Sequence, residues 1–519
     1  MAVINVDFKK LEKLSGHNEK KIIECLTNLG MPVEPGEEGG LVVEVTPNRP
    51  DLFCIEGIVR AVKAYYGDVL PPYKAAPSNY VMEVEKETSK IRPAVCAAVV
   101  KGLDVDEDFL VDLMQMQEKL HDTIGRKRKK VAVGIHDLSK IKGRMRYFVS
   151  HGEKFSPLDM EGEMDVAEIL EKHPKGRAFA HLVEKGAVLI SDEEGIFSFP
   201  PIINGERTRV TSKTKEVLVE STGTSQETVE KTVNIIATAL ADRGGRVYAV
   251  KVGCKTFPDF SPARVKMELN EANRVLGLGL SEKEASDALG KMGMGTEQGK
   301  VLVPPYRTDI ISFTDIIEEI AIGYGYENLE PSLPSISTVG GGDESEEQFH
   351  DALTGMGFLE TKNYFLTNME KLNAVGRGRG ALGIKNSASE EFTFLRTSLL
   401  PGIMGCFSTN KMKGLPQLFY EIGTVYTKKE EERLCFGIMG EGASVTTLQP
   451  YLQTLIKEVG KKFRLKEAED KCFIKGRCAK ISIGKEDIGI IGSVHPETLE
   501  KFGLGHAVAV CEIDVSKLI

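Results

Sequence analysis

A chain of 519 residues is too long for one core and divides into roughly three or four domains. Its net charge of -9 excludes a surface coated in basic residues for nucleic acid, leaving only local basic patches to hold phosphates. It holds no membrane-length apolar run or secretory leader, and its nine cysteines, an odd number without a Cys-x-x-Cys pair, fit a reducing compartment, so a cytoplasmic protein without disulfide scaffold or membrane span is expected.

Residues 1–75 read as helix, helix, strand, loop, helix. Ile22, Ile23, Leu26 and Leu29 make an apolar stripe at helical spacing that stops at Gly30. Leu41 to Val45 reads as a strand, and Leu52 to Tyr66 as a helix closed by Gly67.

Residues 80–256 alternate short strands and helices: strand Ala94 to Val100, helix Glu107 to His121, strand Val131 to Ile135. A hairpin over Val188 to Ile190 and Ile196 to Phe199 leads into Pro200, Pro201, Ile202, Ile203, Asn204 and Gly205. Two prolines fix the backbone ahead of a tight turn, a segment suited to the floor of a pocket or to a plain turn. His136 fits a general base or a hydrogen-bonded structural histidine. Basic clusters at Arg126 to Lys130, Lys140 to Arg146 and Lys461 to Lys466 fit phosphate contacts or solvated faces.

Residues 262–336 echo the start of the chain. Leu26, Leu29, Gly30 and Met31 return as Leu289, Met292, Gly293 and Met294. A strand follows in each, and Pro47, Arg49 and Asp51 return as Pro305, Arg307 and Asp309. The chain therefore contains a duplicated helix-strand-helix unit. Gly57, Arg60 and Ala61 fall where Asp315, Glu318 and Glu319 stand, so Arg-x-Asp reads as a fold feature and the three helical carboxylates as what the second copy adds.

Those carboxylates lie at i, i+3 and i+4, on one face of a helix whose other face carries Ile316, Ile317, Ile320 and Ala321. With Asp309 they suit a hard cation such as Mg2+. Ser312 with Asp315 equally forms a capping signal, and acidic side chains in a first turn are favoured by the helix dipole.

Pro331, Pro334, the glycines at 340–342 and the acidic run Asp343 to Glu347 mark the last boundary. Residues 343–519 hold a helix at Glu346 to Met356, strands at Asn363 to Thr367 and Leu418 to Ile422, and a helix at Leu448 to Val459. Cys472, Cys478, His495 and Cys511 are too irregularly spaced for a metal site and read as core residues. Arg396 fits a phosphate contact or a structural salt bridge. The fold class expected is α+β, multidomain.

Tyr306, Arg307, Asp309, Asp315, Glu318, Glu319 and the closing Gly323-Tyr324-Gly325-Tyr326 resemble the B5 domain of the phenylalanyl-tRNA synthetase beta subunit. That resemblance implies Mg2+ at Asp309, Asp315, Glu318 and Glu319. Val133 to Leu138 and Phe199 to Asn204 resemble the B3/B4 editing domain of the archaeal and eukaryotic branch, which implies an editing pocket around Leu189, Ser198, Asn204 and Glu220, with Glu220 reading a tyrosine hydroxyl. Phe394 to Gly402 and Ile491 to Glu497 resemble the B6/B7 module, a copy of the class II synthetase antiparallel sheet. No Gly-x-Gly-x-Gly-x-x-x-Arg string follows residue 345, so this copy has no cradle for a triphosphate.

By the resemblance the chain divides into a B1-like, winged-helix-like unit (1–75), an editing domain (80–256), the B5-like unit (262–336) and a catalytically inactive class II-like module (343–519). It implies the short archaeal-type beta subunit of phenylalanine-tRNA ligase. Its implied partners are tRNA(Phe) and an alpha subunit that binds ATP and activates phenylalanine, in an (αβ)2 assembly. A stand-alone tRNA-editing hydrolase and a non-catalytic tRNA-binding scaffold are the alternatives; activity without a partner marks the first, and binding without ester hydrolysis marks the second.

Overall fold

The computed structural model describes residues 2–36, 40–68, 70–333, 339–341 and 346–518. They fall into two compact units, 1–333 and 334–519. Pro334 and, from the expected glycine and acidic boundary, Gly342, Asp343, Glu344 and Ser345 lie outside the described residues.

Within the first unit the duplication covers every strand and α-helix and extends to the cap of the second helix. Strand Ala2–Val6, helices Phe8–Ser15 and Glu19–Asn28, strands Val33–Pro35 and Leu41–Val45, and helix Ile55–Tyr65 form the first copy. Ala263–Lys266, Leu269–Leu276, Glu282–Lys291, Gly295–Glu297, Lys300–Val303 and Phe313–Tyr324 repeat them in the same order. Each copy builds a three-stranded sheet with its last strand in the middle. Asn18 and Ser281 cap the second helix of each copy, and Gly30 and Gly293 leave it at φ 77° and 73°, a conformation open to glycine at no steric cost.

The strand at the start of the chain is an addition to the helix-first reading. Ala2, Ile4 and Val6 are buried while Val3 and Asn5 face out, the alternation of a half-buried strand. The helix expected from Leu52 begins at Ile55, because Pro50–Leu52 forms a separate 3-10 turn ahead of it.

Between the copies lies a ten-stranded sheet. Its order is Ile203–Asn204, Gly195–Phe199, Val188–Asp192, Met145–Val149, Ala76–Val84, Arg246–Val252, Ala94–Lys101, Glu216–Gly223, Val131–Asp137, with Lys255–Phe257 paired beside Arg246–Val252. Ala94–Lys101 and Glu216–Gly223 are almost continuously buried, since helix Gln226–Asp242 packs on them. The sheet curls until its edge strands meet, and Asn204 Nδ2 donates to the Ile135 carbonyl at 3.3 Å.

The second unit is a seven-stranded sheet with helices on both faces, antiparallel except where Leu359–Glu360 joins Gln417–Tyr426 in parallel. Successive residues serve opposite cores: Ala509, Cys511 and Ile513 face Phe349, Leu448 and Leu452, while Val508 and Val510 face Leu400, Ile403 and Phe407. Of the expected strand Asn363 to Thr367 only Leu366–Thr367 pairs, because Asn363 turns aside to bind Glu421 through its amide groups. Cys472, Cys478 and Cys511 are buried core residues. Arg396 is buried in a salt bridge with Glu421 at 2.5 Å and donates through Nε to the Thr424 carbonyl at 2.8 Å, the structural of its two readings.

Candidate functional site

Where the curled sheet closes, it leaves a cavity of about 190 Å³. One wall is helix Glu107–Asp122, presenting Leu110, Leu113 and Met114; the floor is Phe199 to Asn204, which includes a cis Pro200-Pro201 bond. Ser198 and Glu220 stand among these apolar groups. They come from strands near opposite ends of the sheet order and meet at 2.9 Å, Ser198 Oγ donating to Glu220 Oε1.

Glu220 is only 2% exposed, and among the described residues its Oε2 has no hydrogen-bond partner. A buried carboxylate oxygen left open costs on the order of 1–3 kcal/mol or more unless something fills it. Gly134, opposite Glu220 on the neighbouring strand, makes room for it: a Cβ there would lie 2.3 Å from Oε1 and 2.8 Å from His136 Nε2. His136 is fully buried, with Nδ1 bonded to Thr208 Oγ1 at 2.9 Å and Nε2 at 3.9 Å from Glu220 Oε1. That bonding places it among hydrogen-bonded core histidines, and it takes no part in lining the cavity.

Of the four pocket residues expected, Ser198, Asn204 and Glu220 line the cavity. Leu189 does not. Ser198 pairs with Ile190, and Leu189 is buried in a cluster with Phe148, Phe155 and Ile169 that also holds the floor residues Phe199, Ile202 and Ile203, so it packs behind the floor instead of lining the cavity.

Arg128 also lines the cavity and was not expected there. Its Nη1 donates to the carbonyls of Pro201 and Ile202 at 3.3 and 3.0 Å, fixing the floor, and its Nη2 to Glu118 Oε1 at 2.8 Å. Glu118, with His121 Nδ1 3.5 Å from its Oε1 and Arg128 bonded to the same oxygen, has its carboxyl lowered to about 2. The basic run was legible in the sequence; that one member of it turns inward was not.

The second cluster is organised by Arg307. Its Nε and Nη2 grip Asp309 at 2.9 and 2.6 Å, and its Nη1 and Nη2 reach Glu319 at 2.9 and 2.7 Å. Burial alone would lower the Arg307 pKa, but the two carboxylates outweigh it and raise it well above the ordinary value. Asp315 Oδ2 accepts from the backbone N–H groups of Ile311 and Ser312, each at 2.7 Å, as half of a capping box. Glu318 is exposed. Among the described residues no three carboxylate, histidine or cysteine side chains converge on a point fit for a metal ion. Asp309 and Glu319 do not fit a dication while a guanidinium stands between them.

The first copy repeats the grip. Arg49 Nε and Nη2 each lie 3.0 Å from an oxygen of Asp51, the same fork as Arg307 on Asp309. Arg60 sits with its guanidinium 4.1 Å above the ring of Tyr306 and bonds Asp242, which ties the two copies to the middle domain.

Three family models match the chain: the B3/4 domain over residues 110–244, the tRNA synthetase B5 domain over 265–326, and the phenylalanyl tRNA synthetase beta chain CLM domain over 329–515. The phenylalanine–tRNA ligase beta subunit of Archaeoglobus fulgidus is 37% identical, with 99% of this chain and 98% of that one covered. That of Methanothrix thermoacetophila is 35% identical over 99% of this chain and 100% of its own. Among solved structures, an N-terminal fragment of the phenylalanyl-tRNA synthetase beta subunit from Pyrococcus horikoshii is 36% identical, covers 62% of this chain and 99% of its own, and superposes with a TM-score of 0.59.

Proposed function

The chain belongs to the family of phenylalanine–tRNA ligase beta subunits, and on that premise we propose that its middle domain hydrolyses tyrosine wrongly attached to tRNA(Phe). The observation that carries this reading is Glu220, a buried residue of the cavity wall whose Oε2, among the described residues, has no hydrogen-bond partner.

Tyrosine differs from phenylalanine by one hydroxyl. An apolar pocket rejects an added hydroxyl by only about a hundredfold, whereas a site that hydrogen-bonds it discriminates by roughly 10^4 or more. A tyrosine hydroxyl in the cavity donates to Glu220 Oε2, with Ser198 holding the carboxylate in place. Phenylalanine leaves that oxygen orphaned and is released. Asn204, anchored through Nδ2 to the Ile135 carbonyl, holds the substrate near its ester. Water, positioned in part by the terminal ribose hydroxyls, attacks the ester carbonyl, and no protein nucleophile is required.

Adenylation and transfer belong to the alpha subunit, which binds ATP, in an (αβ)2 complex. The second unit, a class II-like sheet, serves as the platform for that assembly. In it Arg396 is committed to Glu421 rather than free for a triphosphate. For Mg2+, only Asp315 and the exposed Glu318 remain from the family's four carboxylates, and a cation held there needs further ligands from outside this chain.

The test is clearance of tyrosyl-tRNA(Phe) and phenylalanyl-tRNA(Phe) by the assembled complex, with Asn204→Ala beside it. Preferential clearance of the tyrosyl ester, slowed by the substitution while charging persists, supports the reading. Equal clearance of both esters, or a variant as fast as its parent, overturns it.

A further inference from the structure

A cavity that reads tyrosine must also receive the polymer to which the tyrosine is attached, and the surface beside it has an unusual build. After helix Glu107–Asp122 the chain passes through Gly125, where a Cβ would lie 2.5 Å from the His121 carbonyl oxygen, and then through three non-glycine residues in the left-handed region, Arg126, Lys127 and Arg128, at φ 49°, 52° and 66°. Such residues are strained unless the surroundings hold them. What the strain achieves is a division of charge. Arg128 turns inward onto the floor carbonyls, while Arg126, Lys127 and Lys129 are left exposed.

Across the cavity, Lys175 lines the wall. Among the described residues, none of these four cations forms an ion pair, whereas Arg128 and Arg209 on the same cavity are paired with Glu118, Glu206 and Asp159. Exposed, unpaired cations on the turn that supplies the cavity's Arg128 are suited to holding the phosphates of a nucleic-acid strand.

We propose that Arg126, Lys127, Lys129 and Lys175 dock the phosphates of the single-stranded acceptor end of the tRNA, so that the esterified residue enters the cavity toward Glu220. This rests on the cavity being the site of ester hydrolysis. Because Arg128 joins the same turn to the floor, docking and the geometry of the cavity are mechanically one piece.

The experiment uses the full complex carrying Arg126→Asn, Lys127→Asn and Lys129→Asn together; asparagine tolerates the left-handed backbone, so charge is removed without added strain. The expected result is a KM for tyrosyl-tRNA clearance raised about tenfold with kcat retained, and a dependence of log KM on log salt shallower by about 2, the loss of three single-strand phosphate contacts. Charging of phenylalanine in the same preparation reports that the assembly is intact. Unchanged KM and salt dependence overturn the dock and leave the hydrolytic reading standing. Should the parent complex clear no tyrosyl ester, the hydrolytic reading fails, and the dock is judged by anisotropy of an acceptor-stem RNA hairpin ending in a tyrosyl amide. Weaker binding by the triple variant supports the dock, and equal binding overturns it.

Discussion

Ser198 Oγ donates to Glu220 Oε1 at 2.9 Å, and in doing so holds one carboxylate oxygen while the other, among the described residues, has no partner. Glu220→Gln replaces half of that carboxylate by a donor. A hydrogen bond to a charged group is worth about 1.5–3 kcal/mol, so the preference for the tyrosyl over the phenylalanyl ester should fall roughly 10- to 100-fold. The ratio of kcat/KM for the two esters measures it; an unchanged ratio removes Glu220 from recognition.

Gly134→Ala tests the space that carboxylate occupies. The added methyl would meet Glu220 Oε1 at 2.3 Å, so either the strand or the side chain must move. Overpacking of this kind costs about 1–3 kcal/mol. Urea unfolding should show that loss, together with reduced selectivity for tyrosine; parental stability and selectivity would mean that Glu220 sits elsewhere in solution.

Arg307→Leu leaves Asp309 and Glu319 buried without their cation. Breaking a buried ionic cluster from one side costs about 3–5 kcal/mol, and Arg307→Leu with Asp309→Asn and Glu319→Gln should recover much of it. Denaturation midpoints of the two variants decide the matter, and a single variant as stable as the parent would show that the grip contributes little.

Acid should act through Asp51. Burial would raise its pKa, but the bonded guanidinium of Arg49, with Arg307 and Arg60 nearby, outweighs burial and holds it below the ordinary value. A carboxyl lower in the folded than in the unfolded state contributes stability above the unfolded value of about 4, and that contribution fades as pH falls through the folded value. Asp51→Asn should therefore flatten the decline in stability below about pH 4 while lowering stability at pH 7. Parallel curves for parent and variant would place the acid sensitivity in other groups.

The duplicated unit was readable because its marks are local: a helix end, an Arg-x-Asp fork, a glycine with positive φ. Ala2, Ile4 and Val6 carried the same kind of signal for the first strand, too short a run beside the helices that follow. The meeting of Ser198 with Glu220 was not readable from pattern, since it depends on a sheet curling until distant strands face each other; it came from resemblance. The same resemblance placed Leu189 around the pocket, where it packs behind the floor residues Phe199, Ile202 and Ile203 and does not line the cavity itself. With the carboxylates, spacing predicted a shared helical face but not that Arg307, a few residues upstream, would claim two of the four.

The guanidinium of Arg60 over the ring of Tyr306 has a bearing on how the molecule is born. One partner emerges from the ribosome early and the other only after the whole middle domain, so Arg60 can pair with Asp242 first, while the face that Tyr306 covers stays open until the second copy has been translated. A gene product cut short before residue 262 would keep the pairing of Arg60 with Asp242 but lose the ring of Tyr306, leaving that face of the first copy bare.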